Sequence, residues 1–265
     1  MKVVILGATG QMGRLLTRKF LHEGHEVVSV SRRAAPEGWM GEKLRHLCLD
    51  LATIPLPERV AGWADAIVDV TDSRKKPARF PQIAHGVAAT VGDLPVAKQP
   101  AMYCLGIVNQ DRTSYAYYAG KANQDRTYRS ALGRYSLIAA TQFTSFIEDI
   151  FTTTSRTGIV LAPRGVRWQL LHPEDLAQEM VRVVAEGTVR DLTASGPEVL
   201  TSREVATRYG TLRGRKYVAM GMPVPGAVGR YFRAGLNLVE DADIVGHRSY
   251  GERGPATGWG QPIDA

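Results

Sequence analysis

The sequence predicts an α/β fold, a doubly wound parallel sheet with a small C-terminal lobe on the substrate side. Three observations carry that reading. Lys2–Leu6 is a short apolar run rich in β-branched residues, the pattern of a strand buried on both faces. Gly7-Ala8-Thr9-Gly10-Gln11-Met12-Gly13 follows at once, after which Met12, Leu15, Leu16, Lys19 and Phe20 fall at helical spacing. From there to Thr141 strand-like and helix-like runs alternate without a long structureless segment, as parallel βαβ units require.

The glycines sit on the first strand-to-helix turn, and each has its own reason to be there. Gly7 permits the tight turn, Gly10 admits a pyrophosphate close to the backbone, and Gly13 lets the helix approach the strand. The helix start offers free N–H groups and a partial positive charge to that anion. This is the opening of a Rossmann domain, with Gly7, Thr9, Gly10, Gln11, Met12 and Gly13 as the cofactor-binding turn.

The second strand, 25–32, follows Gly24, which ends the first helix. It should stop beside the adenosine ribose, where an NAD-selective site places Asp or Glu. Ser31-Arg32-Arg33 stands there instead. Guanidinium groups grip a 2′-phosphate that a carboxylate would repel, so the sequence predicts NADP(H), with NAD(H) second. A third strand, 45–51, ends in Asp50-Leu51, and a short helix spans 55–63. A fourth strand, 66–70, ends at Val70 and Thr71. Strand carboxyl ends in such sheets face the ligand crevice, which makes Asp50, Leu51, Val70 and Thr71 candidate cofactor contacts. Asp50 reads equally as a loop cap. Arg74-Lys75-Lys76 reads as solvated surface.

A helix over 83–91, a strand over 102–108, a long helix over 114–132 and a sixth strand over 135–141 complete the first domain, residues 1–155. The rhythm then changes. Strand-like pieces fall at 157–162 and 166–171, and a helix opens at His172-Pro173-Glu174-Asp175 and runs to Ala185. A strand at 191–194 and helices at 202–213 and 227–238 follow, giving a smaller lobe over 156–245 interleaved with the core. Residues 246–265 are rich in glycine and poor in aliphatics, the composition of a mobile tail.

Composition narrows the function classes. The 265 residues carry a formal charge of +7 and are 44% hydrophobic, enough for a real core. The positive residues are scattered, so neither nucleic acid nor a membrane surface is expected as partner, and a small-molecule substrate is. The first strand at residue 2 leaves no room for a leader, and the expectation is a cytoplasmic protein. Cys48 and Cys104 lie in apolar strand-like runs and read as buried thiols, and no ligand spacing predicts a metal.

A second constellation suggests chemistry. Tyr117 and Lys121 are four apart on a predicted helix and share a face; Tyr118 and Lys121 are three apart. An ammonium beside a phenol lowers the phenol's pKa, and such a tyrosine can protonate a carbonyl oxygen as hydride arrives. The glycine turn, Asp50-Leu51, Tyr117-Tyr118-Ala119-Gly120-Lys121 and Ala140-Thr141-Gln142-Phe143 resemble the atypical short-chain dehydrogenase/reductases, in particular the NmrA-like NAD(P)H-binding group. His172-Pro173-Glu174-Asp175-Leu176-Ala177 and Ser195-Gly196-Pro197-Glu198 resemble that group's C-terminal part. The resemblance spans residues 1 to about 245. It implies Lys121 near the nicotinamide ribose and Thr141 to Phe143 beside the nicotinamide.

Dehydrogenases of the wider superfamily carry a serine at the end of the fifth strand. Here Gly106 occupies that place, with Asn109 or Ser114 as substitutes. The expected function is an NADP(H)-dependent oxidoreductase of a small carbonyl, quinone or imine, with Tyr117, Tyr118 and Lys121 catalytic. Two alternatives stay open: a non-catalytic NADP(H) sensor with a protein partner, and an isomerase or epimerase that retains its cofactor. Tyr118, Phe143, Phe146 and Trp168 would shape the substrate pocket, Trp168 reading more readily as lobe core. His172 reads as a helix-entry residue and Cys104 as core.

Overall fold

The computed structural model describes residues 1–39 and 41–252. In chain order the elements are β1 (Lys2–Leu6), α1 (Gln11–His22), β2 (Glu26–Ser31), β3 (Leu44–Cys48), α2 (Glu58–Ala61), β4 (Ala66–Asp69), α3 (Arg79–Gly92), β5 (Ala101–Ile107), α4 (Ala116–Ala131) and β6 (Tyr135–Ala140). Then come α5 (Thr144–Ser155), β7 (Ile159–Pro163), β8 (Arg167–Trp168), α6 (Pro173–Ala185), β9 (Leu192–Ser195), β10 (Leu200–Thr201), α7 (Ser202–Leu212), β11 (Val218–Met222), α8 (Gly226–Arg233) and β12 (Ile244–Val245).

The main sheet has eight strands in the order β12-β9-β6-β5-β4-β1-β2-β3, and every pairing in it is parallel. The β1 side chains alternate between two cores, as a strand buried on both faces must. Val3 and Ile5 meet Leu15, Leu16 and Phe20 of α1 together with Leu176, Met180 and Val181 of α6. Val4 and Leu6 face the other way, toward Ile83 and Val87 of α3 and Tyr128 of α4. After β1 the chain moves outward through β2 and β3, then returns to lay β4 on the opposite side of β1. That reversal opens a crevice at the strand carboxyl ends.

A third core, around Trp168, Phe151, Tyr209, Tyr231 and Phe232, belongs to the lobe. The lobe carries two small sheets, β8 with β10 and β7 with β11. It is interleaved with the main sheet, because β9, β12 and α6 return to the first layer.

The structure departs from the sequence expectations in several places. Helix α5 was not anticipated: its Thr152-Thr153-Thr154 run is β-branched and weak in helix propensity, and Ile147 and Phe151, buried in the lobe core, hold it. Cys48 is exposed rather than buried, since β3 is an edge strand of the sheet; Cys104 is buried in β5. The expected tail docks over residues 246–252. Gly246 N donates to Ser195 O at 2.8 Å, Arg248 Nε to Asp175 Oδ1 at 2.6 Å, and Tyr250 is buried. Residues 253–265 of that expected tail lie outside the described residues.

Candidate functional site

A cleft of about 780 Å³ lies along the carboxyl ends of β1, β2, β4, β5 and β6. Gly7, Thr9, Gly10, Gln11 and Met12 form one wall, and Ser31, Arg32 and Arg33 close it beyond β2. Asp50 and Leu51 follow β3, and Val70 and Thr71 follow β4. Gly106, Tyr117, Tyr118, Lys121, Thr141 and Phe143 line the far end. Of the predicted cofactor set only Gly13 stands behind the wall.

The backbone of the turn fits a dinucleotide. Gly7 has φ +83°, and a Cβ there would lie 2.9 Å from the Thr71 backbone. A Cβ on Gly13 would lie 2.4 Å from Gly7 O, so bare backbone is what lets α1 start so close to β1. Gly10 caps α1 without any side-chain hydrogen bond, and the first turn holds no acid. The N–H groups of that end are therefore presented to an anion in the cleft.

Around the β2 end, Ser31 Oγ donates to Arg33 O at 2.8 Å and fixes the loop, while Arg33 Nη2 donates to Thr9 O at 3.2 Å. Arg32 and Arg33 are exposed at the cleft. Asp50 acts as a loop cap, accepting from Ala52 N at 3.2 Å, and it also forms an ion pair with Arg79, another cleft residue.

Tyr117 and Tyr118 both line the far end, in different settings. Tyr118 is buried among Tyr115 and Tyr231, with ring centroids 5.4 and 4.9 Å away, and its oxygen accepts from Gln142 Nε2 at 3.4 Å. Tyr117 lies against Phe80 at 5.7 Å, and the Arg74 guanidinium sits 6.0 Å from its ring centre. The Lys121 ammonium is held by other partners than the two phenols. It donates to Gln124 Oε1 at 2.6 Å and stands 4.9 Å over the Phe80 ring.

The expected lowering of a phenol pKa by Lys121 is therefore corrected. Burial pushes both phenols up, and the cation that opposes this at Tyr117 is Arg74, with Asp72 acting against it.

Gly106 does not leave a vacancy for a serine. A Cβ there would lie 2.7 Å from Leu137 Cδ1 and 3.0 Å from Gln110 Oε1. Gln110 is folded into that space, accepting from Ile107 N at 2.8 Å. The two proposed substitutes do not line the cleft. Asn109 is left-handed and donates to Leu236 O at 2.8 Å, and Ser114 is exposed to solvent.

Other expectations resolve plainly. Trp168 lies in the lobe core, donating to Ser202 Oγ at 2.8 Å, and backs Phe146, which does line the cleft. His172 precedes α6, outside the cleft. Burial pushes the Cys104 thiol up to about 12, an unreactive state at neutral pH. No group of metal-ligating side chains occurs among the described residues, and none of their helices is long and apolar enough to cross a membrane.

Sequence reasoning missed Arg74, assigned to solvated surface. It lines the cleft between the rings of Tyr117 and Phe146, 6.0 and 5.9 Å away, and pairs with Asp72 at 3.3 Å. Nothing local in Arg74-Lys75-Lys76 signals this. Gln124 was missed too, although Tyr117, Lys121, Gln124 and Tyr128 form one helical stripe that the sequence does show.

Residues 3–80 match the NAD dependent epimerase/dehydratase family. No curated protein matches the sequence. Among solved structures, a nucleoside-diphosphate-sugar epimerase from Staphylococcus aureus superposes with a TM-score of 0.75 at 13% identity, covering 91% of this chain and 93% of that one. The UDP-glucuronic acid 4-epimerase from Bacillus cereus, in complex with UDP-glucuronic acid and NAD, gives 0.71 at 8% identity over 86% and 88% of the two chains. A dTDP-4-dehydrorhamnose reductase from Clostridium acetobutylicum gives 0.61 at 12% identity over 84% of each. Residues 3–80 thus match the NAD dependent epimerase/dehydratase family, and over about nine tenths of its length the chain has the fold of the solved epimerase.

Proposed function

We propose that the protein is an NADP(H)-dependent oxidoreductase that reduces a small carbonyl, quinone or imine, as the NmrA-like reading of its motifs implies. The observation that carries this is a single cleft with the glycine turn at one end and Tyr117, Lys121 and Arg74 at the other. The cofactor would lie against Gly7 to Met12, its adenosine phosphate toward Arg32 and Arg33 and its nicotinamide ribose toward Lys121. It supplies or receives the hydride when bound. Tyr117 is the better proton donor of the two phenols, since Tyr118 is enclosed by lobe rings and tied to Gln142. A neutral phenol, held protonated by burial, can donate to an oxygen that gains electrons.

The test is oxidation of NADPH and NADH by the purified protein across a carbonyl and quinone panel. The expected result is turnover with NADPH preferred, and loss of about 100-fold or more in Tyr117→Phe. Turnover with no acceptor refutes the catalytic reading. Arg32→Ala with Arg33→Ala should erase the cofactor preference; an unchanged preference refutes the 2′-phosphate site.

Two specific observations favour other readings. The likeness to sugar epimerases favours an isomerase that retains its nicotinamide, seen as reduced-cofactor absorbance in the protein as purified. The filled space at Gly106, where the wider superfamily carries its serine, favours a cofactor sensor. A partner protein captured without cofactor and released on adding it would support that one.

A further inference from the structure

The Lys121 side chain enters the cleft from a buried polar network that ligand contact alone does not call for. Lys121 Nζ donates to Gln124 Oε1 at 2.6 Å. Gln124 Nε2 in turn donates to Asp69 Oδ2 at 2.7 Å and to Thr71 Oγ1 at 3.2 Å. Asp69 also accepts from the Tyr128 hydroxyl at 2.7 Å and from Thr71 N at 2.8 Å. Asp69 and Gln124 are 0% exposed, and Lys121 is 5% exposed.

The orientation of the Gln124 amide is fixed by chemistry. An ammonium can only donate, so it takes the amide oxygen. A carboxylate can only accept, so it takes the amide nitrogen. The amide lies between a buried cation and a buried anion with its dipole aligned to both. Each charge is costly to bury alone, and the relay lets one compensate the other without contact.

We propose that Gln124 is a positioning residue of the cofactor site: it holds the Lys121 ammonium at the cleft wall by relaying the charge of Asp69. A direct Lys–Asp bridge would draw Nζ down toward β4 and occupy it there. The interposed amide keeps it at cleft level and takes one of its three protons. The Phe80 ring, 4.9 Å away, attracts the cation and takes none. The remaining protons are available to ribose hydroxyls. Through Thr71, itself a cleft residue, the same amide also ties down the wall formed after β4. The inference rests on the reading that the cleft holds a nicotinamide dinucleotide.

The experiment is fluorescence titration of NADPH and NADH into the full chain and its variants, with thermal melting alongside. Gln124→Leu should weaken cofactor binding about tenfold, near the loss in Lys121→Met. In the Lys121→Met background, Gln124→Leu should cost no further affinity, although it still lowers the melting temperature. Gln124→Glu alone sets a carboxylate against Asp69 and should also bind about tenfold more weakly. Adding Asp69→Asn restores a donor to face the new acceptor, and the pair should recover most of the affinity.

A role confined to core stability predicts otherwise. Gln124→Leu would bind like the wild type, or its effect would add fully to that of Lys121→Met, and either result overturns the proposal. If Gln124→Leu does not fold, the paired variant decides: no recovery over Gln124→Glu overturns it. Wild-type protein that binds neither cofactor refutes the reading of the cleft, and this inference with it.

Discussion

At the scale of single residues, the site depends on atoms that are missing. Gly13 is the sharpest case, because its absent side chain is what α1 needs to begin beside β1. Gly13→Ala would place a methyl 2.4 Å from Gly7 O and 2.5 Å from Ala8 Cα, and the helix must slide outward. We expect a loss of about 1–3 kcal/mol in stability, read by calorimetry, and a larger proportional loss of cofactor affinity, because the N–H groups move with the helix. Such a position is legible from sequence, since only glycine serves it. Arg74 is not, because its neighbours Tyr117 and Phe146 come from helices more than forty residues further along the chain. Gln110 beneath Gly106 is hidden for another reason: an amide opening a three-residue 3-10 helix after β5 has no periodic signature.

At the scale of elements, the strands of the first domain were readable because most are short apolar runs between turn residues. The segment 246–252 was not, since its main polar anchor is a single carboxylate far away in the chain. Asp175 opens α6 and is 2% exposed; it accepts from His247 N, Arg248 N and Arg248 Nε at 3.1, 3.0 and 2.6 Å. Burial raises the carboxyl pKa, but the Arg248 hydrogen bonds and charge together outweigh it, so the folded-state value is depressed. A depressed carboxyl stabilises above its unfolded pKa and loses that contribution as pH falls through the folded value. Arg248→Ala should cost about 3 kcal/mol at neutral pH, and the difference from wild type should shrink below the ordinary carboxylate range. Melting curves from pH 7 to 3 check both the size and the sign.

At the scale of the whole molecule, the two cores of the sheet differ in how their covers arrive. The face bearing Val4 and Leu6 is covered by α3 and α4, next along the chain. The face bearing Val3 and Ile5 needs α6, which joins only after α5 and the first lobe strands. A chain ended at residue 155 keeps the glycine turn, Tyr117 and Lys121, yet lacks the helix that shields Leu15, Leu16 and Phe20. Such a fragment should be recovered insoluble or bound to an apolar dye, and should show no cofactor affinity on titration. A soluble, cofactor-binding fragment would show that α6 is dispensable.

The same late arrival of α6 acts in time as well as in space. During synthesis at about 5–20 residues per second, α1 emerges early and waits several seconds for its partner. Throughout that interval the stripe of Leu15, Leu16 and Phe20 is open to any apolar surface nearby. The glycine turn is therefore made well before α6 and becomes rigid only once α6 has joined it. Its vulnerability to misassociation is set by the clock of translation rather than by the stability of the finished fold.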